Sequence, residues 1–300
     1  MELIKRVLTA VVLIPIVLAL VLRAPVPAVA GIAGLVTLLA IRELLKLSEA
    51  YAVRPLNLPT YIYTGLFFLV IAIAPGTVPA LSTSGFAFAA LTAAVLAPFI
   101  FLTIGMYRSD LASAFPAAMV SAFSFSYIAL PLACLVQLRE QWRGSFLILY
   151  LLLVVWAGDI FAYFVGKSIG RHRMSPRVSP NKTWEGAVAS VLASVGIGFL
   201  MFHYALTIST ALLNAHLIER RDGIFANDQI SMAEVIVISI VLNIAAQLGD
   251  LVESLIKRGA NVKDSGVILP GHGGMFDRID ALLFAAPVLW CYAAWKVMLQ

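Results

Sequence analysis

Long apolar segments follow one another along the chain, and short polar segments separate them. A membrane-spanning helix needs about 20 predominantly apolar residues, and by that measure the pattern predicts about nine spans. They lie near residues 8–22, 25–41, 61–75, 84–106, 116–138, 145–166, 186–206, 231–252 and 279–299. We therefore expect an all-α, polytopic integral membrane protein in which residues 1–300 form a single transmembrane domain.

The composition supports the same class of protein. Hydrophobic residues make up 61% of the chain and charged residues 12%, whereas soluble globular domains carry about 25% charged residues. The two cysteines, Cys134 and Cys291, both lie in apolar segments, where we expect them to act as small hydrophobic side chains. This pair excludes a disulfide framework or a zinc site built on cysteine spacing.

The distribution of positive charge predicts the orientation of the chain. If the N-terminus is cytoplasmic, most of the 21 Lys and Arg residues fall on the cytoplasmic side, as the positive-inside rule requires. Lys5 and Arg6 then precede a retained signal-anchor helix rather than a cleaved signal peptide. The net charge of +5 would face anionic lipid and an anionic substrate, not nucleic acid. We expect a multi-pass protein of the inner (cytoplasmic) membrane.

Charged residues concentrate in residues 249–280, between the last two predicted spans. The segment reads GDLVESLIKRGANVKDSGVILPGHGGMFDRID. Its charged residues include Asp250, Glu253, Lys257, Arg258, Lys263, Asp264, Asp277, Arg278 and Asp280. The intervals from Asp250 to Lys257 place several of them on one helix face, and the glycines let backbone N–H groups approach an anion. This pattern suits a phosphate bound through Mg²⁺; an interfacial charge belt is the alternative interpretation.

A second polar loop, residues 167–186, is the most basic stretch of the chain. Pro180, Asn181 and Thr183 predict that a helix begins there, with its free N–H groups facing the cytoplasm. Asn181, Lys182 and Thr183 can all donate hydrogen bonds to phosphate oxygens. The alternative is that the positive residues act only as a determinant of membrane topology.

Two acidic features lie outside these loops. Asp159 falls inside the sixth predicted span, where an acidic residue indicates function by default; the alternative is a structural pair with a polar neighbour such as Tyr163. Residues 42–54, which include Glu43, are predicted to form an amphipathic interfacial segment or an ordinary polar continuation of the second span. We assign no chemistry to residues 42–54.

Four motifs of the charged segment resemble the signature of phosphatidate cytidylyltransferases, membrane enzymes also known as CDP-diacylglycerol synthases. The motifs are residues 254–258 (SLIKR), 263–266 (KDSG), 270–274 (PGHGG) and 277–280 (DRID), and residues 159–186 are similar as well. The resemblance implies a nucleotidyltransferase of phospholipid biosynthesis that converts CTP and phosphatidic acid into CDP-diacylglycerol and pyrophosphate. It also implies a second cation, such as K⁺, beside Mg²⁺, and it suggests a homodimer in the lipid membrane.

From the residues and the resemblance together we expect a metal-assisted in-line displacement with a cytoplasmic active site. Asp250 and Asp277 are predicted to bind Mg²⁺, with help from Asp280 and Asp264. The predicted catalytic residues are Asp250, Asp277, Lys257, Arg258, Lys263, Asp264, Arg278 and Asp280, and the predicted substrate-binding residues are Asn181, Lys182, Thr183, Ser254, Gly271, His272, Gly273 and Gly274. Whether His272 contacts phosphate or holds the loop stays open.

Two other functions compete with this hypothesis. One is a different membrane nucleotidyltransferase that uses CTP with another lipid phosphate acceptor. The other is an ion- or proton-coupled transporter in which Asp159 and Asp250 relay the ion. Transporters often carry broken helices in matching halves, and the sequence shows no such repeat.

Overall fold

The computed structural model describes residues 2–73, 83–141, 144–218, 230–268 and 273–298. Its helices are α1 (Glu2–Arg23), α2 (Val26–Glu49), α3 (Asn57–Ile73), α4 (Thr83–Gly105), α5 (Ala114–Ser124), α6 (Leu130–Glu140), α7 (Gly144–Ile169), α8 (Trp184–His203), α9 (Ala205–Asn214), α10 (Met232–Gly259) and α11 (Phe276–Met298). A 3₁₀ turn at Leu111–Ser113 precedes α5, and a π turn at Phe125–Ala129 joins α5 to α6. Two short strands, β1 (Arg173–Ser175) and β2 (Ser179–Thr183), lie between α7 and α8.

The predicted all-α membrane architecture is confirmed. Within the described ranges, 7 helical segments are long and apolar enough to cross a membrane: Val26–Glu49, Thr83–Gly105, Leu111–Glu140, Gly144–Ile169, Trp184–His203, Met232–Gly259 and Phe276–Val297. The first and third predicted spans coincide with α1 and with α3, which has 17 residues. The count of nine spans and the cytoplasmic N-terminus stay predictions.

The π turn has a cause in the sequence. Pro131 lies at the start of α6, and proline has no N–H to donate to the carbonyl of Tyr127, four residues earlier. The regular hydrogen-bond pattern is therefore lost at this point, and the helix widens into a π turn over Phe125–Ala129. Tyr127 lies in the middle of this turn.

The last helix lies between two hydrophobic cores. Phe276 and Leu283 of α11 belong to a core formed mainly by α2 to α6, whereas Ala285 and Leu289 belong to a core built from α7 and α10. Helix α11 also packs directly along α10. The beginning of α11 and the end of α10 therefore meet at the junction of the two cores, where the charged residues lie.

A β-hairpin precedes α8, and the sequence pattern did not predict it. Strands β1 and β2 pair antiparallel, with Arg173 opposite Thr183 and Ser175 opposite Ser179. The predicted start of a helix at this place is correct to within a few residues, since Thr183 is the N-cap and its side chain accepts a hydrogen bond from the Gly186 N–H at 3.2 Å. Residues 179–183 are extended because they form β2.

Candidate active site

Three carboxylates converge where α10 and α11 meet. Asp250 and Glu253 of α10 and Asp280 of α11 each offer an oxygen, and these oxygens lie within 4.8 Å of one another. Asp250 and Glu253 share a helix face because they are three residues apart. Gly249 allows the close approach of the two helices, since a Cβ there would overlap the carbonyl oxygen of Asp280. We call Asp250, Glu253 and Asp280 the carboxylate triad.

Two lysines neutralise part of this negative charge. The Nζ of Lys182 lies 2.6 Å from the Oδ2 of Asp250, so the hairpin reaches across to the end of α10. The Nζ of Lys257 lies 2.5 Å from the Oε2 of Glu253. Three carboxylates with two ammonium groups retain a net negative charge, which favours a bound cation at this position.

Asp277 lies on the other side of Lys257 and has protein donors on both oxygens. Its Oδ1 is 2.6 Å from the Nζ of Lys257. Its Oδ2 accepts hydrogen bonds from the Gly274 N–H at 2.7 Å, the Ser265 N–H at 2.9 Å and the Ser265 hydroxyl at 3.0 Å. The structure therefore brings Asp280 and Glu253, rather than Asp277, next to Asp250. Asp277 orients Lys257 and the loop before α11.

Glu43 of α2 holds the same loop from the opposite side. Its side chain is buried, its Oε1 accepts from the Met275 N–H at 3.0 Å, and its Oε2 accepts from the Phe276 N–H at 2.9 Å. The Ser265 hydroxyl lies 2.8 Å from the same Oε2 and, having one hydrogen, serves either Glu43 or Asp277 at a given moment. Glu43 thus satisfies N–H groups at the start of α11 that have no partner within the helix.

Sequence reasoning assigned no chemistry to Glu43 and left Glu253 out of the predicted site. The signal for both was available, because an acidic side chain within an apolar helix is by default a functional hypothesis. Periodicity showed that Glu253 shares a face with Asp250. It gave no indication that Glu43, more than 220 residues earlier, contacts the loop.

The glycine loop is described from Gly273 onward, and Pro270, Gly271 and His272 lie outside the described residues. Gly273 has a φ of +77°, a conformation that favours glycine. The N–H of Gly274 donates to Asp277. A side chain on Gly274 would overlap Glu43 and Ser265. This part of the loop is therefore shaped around the two carboxylates that hold it.

The remaining predicted residues fall into two groups. Thr183 is buried and caps α8, Ser254 donates to Asp250 at 3.3 Å, and Arg258 donates to the carbonyl of Val178 in the hairpin at 3.4 Å. These side chains connect the elements around the site. The second group consists of Asn181, Lys263, Asp264 and Arg278, all of which are exposed. Arg278 is close enough to Asp159 for an electrostatic interaction, and Asp159 interacts in the same way with Asp250 and Lys182.

A network of polar side chains continues from the site toward the middle of α10, half-buried at Gln247 and buried at Asn243. The amide nitrogen of Gln247 donates to the Oδ1 of Asn243 at 2.6 Å. The amide nitrogen of Asn243 lies 2.8 Å from the hydroxyl oxygens of both Ser190 and Ser194 on α8. Hydrogen bonds of this kind hold membrane helices together where apolar packing alone gives little specificity. They keep α8, and therefore the hairpin before it, aligned with α10.

Fold and site together define a polytopic helical membrane protein whose last two long helices carry an acidic, lysine-flanked centre. A family model described as "Cytidylyltransferase family" matches residues 4–295. The chain belongs to the cytidylyltransferase family.

Relatives named phosphatidate cytidylyltransferase are similar to this chain. The protein from Haemophilus influenzae is 34% identical over 171 residues, which cover 55% of this chain and 54% of the relative. The protein from Brucella abortus is 38% identical over 180 residues, covering 60% and 57%. The protein from Staphylococcus haemolyticus is 30% identical over 257 residues, covering 86% of each. The chain thus spans about half the length of the first two relatives and most of the third.

Proposed function

We propose that this protein transfers a cytidylyl group from CTP to phosphatidic acid, giving CDP-diacylglycerol and pyrophosphate. The observation that carries the proposal is the convergence of Asp250, Glu253 and Asp280 with Lys182 and Lys257. Carboxylates that hold a divalent cation, together with lysines that neutralise phosphate charge, are the groups that phosphoryl-type transfer requires. Membership of the cytidylyltransferase family and the names of the relatives support the same reaction.

The carboxylate triad fits a hard cation such as Mg²⁺. All of its ligand atoms are carboxylate oxygens, which Mg²⁺ prefers. Glu253 is fully buried, and its Oε1 has no hydrogen-bond partner among the described residues. When bound, the cation would neutralise phosphate charge and help to orient the α-phosphate. We therefore assign Asp250, Asp280 and Glu253 to the cation and give Asp277 the role of positioning Lys257. A second cation such as K⁺ stays a prediction from the family resemblance.

The reaction needs no strong base. A phosphate oxygen of phosphatidic acid is already anionic at neutral pH, and it attacks the α-phosphorus of CTP. A new P–O bond forms while the bond to the leaving pyrophosphate breaks, and pyrophosphate departs with that electron pair. Lys182 and Lys257 reduce the repulsion between the two polyanions. Arg278 and Lys263, which are exposed, are proposed to contact phosphate groups from the outside of the site.

The proposed location follows from the substrates. CTP is a cytoplasmic nucleotide and phosphatidic acid is a membrane lipid, so the site is placed at the cytoplasmic face of the inner membrane. A homodimer is proposed on the family resemblance, and it can be tested by chemical cross-linking in membranes followed by sizing in detergent.

The experiment that tests the function uses purified protein in detergent micelles with CTP and phosphatidic acid. We expect CTP-dependent release of pyrophosphate and formation of CDP-diacylglycerol in Mg²⁺, and neither in EDTA. Asp250→Asn and Asp280→Asn should abolish turnover while the protein stays folded, and Glu49→Gln, at an exposed position of α2, is the control. No pyrophosphate release from the wild-type protein would reject the proposal. Turnover with only another lipid phosphate would reject phosphatidic acid as the acceptor and favour a different membrane nucleotidyltransferase.

A further inference from the structure

Tyr127 has a buried hydroxyl group for which the described part of the protein provides no hydrogen-bond partner. A buried hydroxyl without a partner costs free energy, so each such group in a folded protein calls for an explanation. Nothing in the predicted motifs includes Tyr127. Tyr127 lies in the π turn at Phe125–Ala129. This position favours a functional role, because π turns within α-helices are frequent at functional sites.

Ring contacts place Tyr127 over the face of α11 that carries Asp280. Its ring centroid lies 6.0 Å from that of Phe276 and 6.2 Å from that of Phe284, both in edge geometry. Phe276, Asp280 and Phe284 follow one another at intervals of four residues and so share one helix face. On its other side, the Tyr127 ring stacks on Phe123 at 4.9 Å. Three aromatic neighbours therefore hold the ring in one orientation.

The Tyr127 hydroxyl is within electrostatic range of the carboxylate triad. Glu253 and Asp280 are the two acidic groups that interact electrostatically with Tyr127. The Oε1 of Glu253 also has no hydrogen-bond partner within the described ranges. The Tyr127 hydroxyl, which has no partner among the described residues, and the buried carboxylate of Glu253, which pairs with Lys257 through its Oε2, thus belong to the same site. Carboxylates nearby favour a hydroxyl that donates its proton in a hydrogen bond, since they stabilise the positive end of the O–H dipole.

We propose that the Tyr127 hydroxyl donates a hydrogen bond to an oxygen held by the cation at the carboxylate triad. This oxygen belongs either to a water molecule on the cation or to a phosphate group of the substrate, and both accept hydrogen bonds in the same way. Tyr127 is then a ligand-binding residue contributed by the π turn between α5 and α6, a segment without any of the charged motifs. The inference rests on the proposed function, because it requires a cation at Asp250, Glu253 and Asp280.

The test compares Tyr127→Phe with Tyr63→Phe. Tyr127→Phe removes one oxygen and keeps the ring contacts. Tyr63 is a matched control because its ring contacts Phe125 of the same π turn at 4.8 Å, while its hydroxyl donates to the Ala93 carbonyl at 2.7 Å. For Tyr127→Phe we expect kcat/KM for CTP to fall about 10- to 100-fold, as for the loss of one hydrogen bond to a charged group. Tyr63→Phe should lower the unfolding temperature and keep wild-type kinetic constants.

Thermal unfolding gives a readout that does not depend on turnover. Without ligands, Tyr127→Phe should unfold at the wild-type temperature or above it, since the hydroxyl has no protein partner to lose. If Mg²⁺ alone raises the unfolding temperature of Tyr127→Phe less than that of the wild type, the oxygen is cation-bound water. A smaller rise only with Mg²⁺ and CTP would identify it as a phosphate oxygen.

Three results would overturn the inference. They are wild-type kinetics with unchanged ligand-induced shifts, a lowered unfolding temperature of ligand-free Tyr127→Phe, and an equal kinetic loss in Tyr63→Phe. The Asp250→Asn variant distinguishes a failure of the inference about Tyr127 from a failure of the proposed function. If Asp250→Asn is inactive and Tyr127→Phe behaves like the wild type, only the role of Tyr127 is rejected. If Asp250→Asn is fully active, the cation site itself is rejected.

Discussion

Glu43 connects α2 to the loop before α11, and replacing it tests how the site is held in shape. Glu43→Ala leaves the N–H groups of Met275 and Phe276 without their acceptor, whereas the Ser265 hydroxyl can still donate to Asp277. Each buried group that loses its partner costs about 1–3 kcal/mol. We therefore expect Glu43→Ala to lose about 2–6 kcal/mol of stability, with less if water reaches the loop.

Glu43→Gln gives a graded comparison. The amide keeps one acceptor oxygen but turns an NH₂ group toward a backbone N–H, so one of the two hydrogen bonds is lost. We expect a loss of about 1–3 kcal/mol for this variant. At roughly 2–4 °C for each kcal/mol, the unfolding temperatures should rank wild type above Glu43→Gln and Glu43→Ala lowest.

Activity should decrease in the same sequence, from wild type through Glu43→Gln to Glu43→Ala, because a displacement of about 1 Å in an active site can cost about 100-fold in rate. The assays are thermal unfolding in detergent and CDP-diacylglycerol formation at saturating substrates. The control is Glu49→Gln, which neutralises an exposed carboxylate on the same helix as Glu43. If Glu43→Gln and Glu43→Ala match Glu49→Gln in both assays, the loop is not held by α2 and the reasoning is refuted.

Three further predictions concern the neighbouring groups. Lys182→Ala should raise the KM for CTP or phosphatidic acid about tenfold or more. Its unfolding temperature should change little, because the ion pair of Lys182 with Asp250 is partly exposed. A drop in expression alone would identify Lys182 as a topology determinant instead. Gly249→Ala should lower both stability and turnover, since the added Cβ overlaps the Asp280 carbonyl. The control is Gly65→Ala, whose added Cβ has nothing within 4 Å. Equal stability and turnover of the two variants would argue against close helix contact at the site. Chelation by EDTA should stop turnover reversibly and lower the unfolding temperature of the wild-type protein, and an unchanged unfolding temperature would argue against a cation at the triad.

Much of the fold could be predicted from local sequence. Apolar segments of the right length predict where helices lie, because a chain in lipid must satisfy its backbone hydrogen bonds within each helix. The hairpin at 173–183 was missed because two strands of three and five residues leave too short a pattern, and proline within β2 argues against a strand. The helix start at Thr183 was found because a capping side chain acts within three residues of itself.

The site shows where local information ends. The sequence by itself identified residues 249–280 as the candidate site, since their charge and glycines have no place in a lipid-facing helix. Only the tertiary structure decided that Asp280 and Glu253, rather than Asp277, face Asp250, and that Glu43 and Tyr127 approach from other helices. The physical reason is that helical periodicity determines which residues share a face. The rotation of each helix against its neighbours depends on packing across the whole bundle.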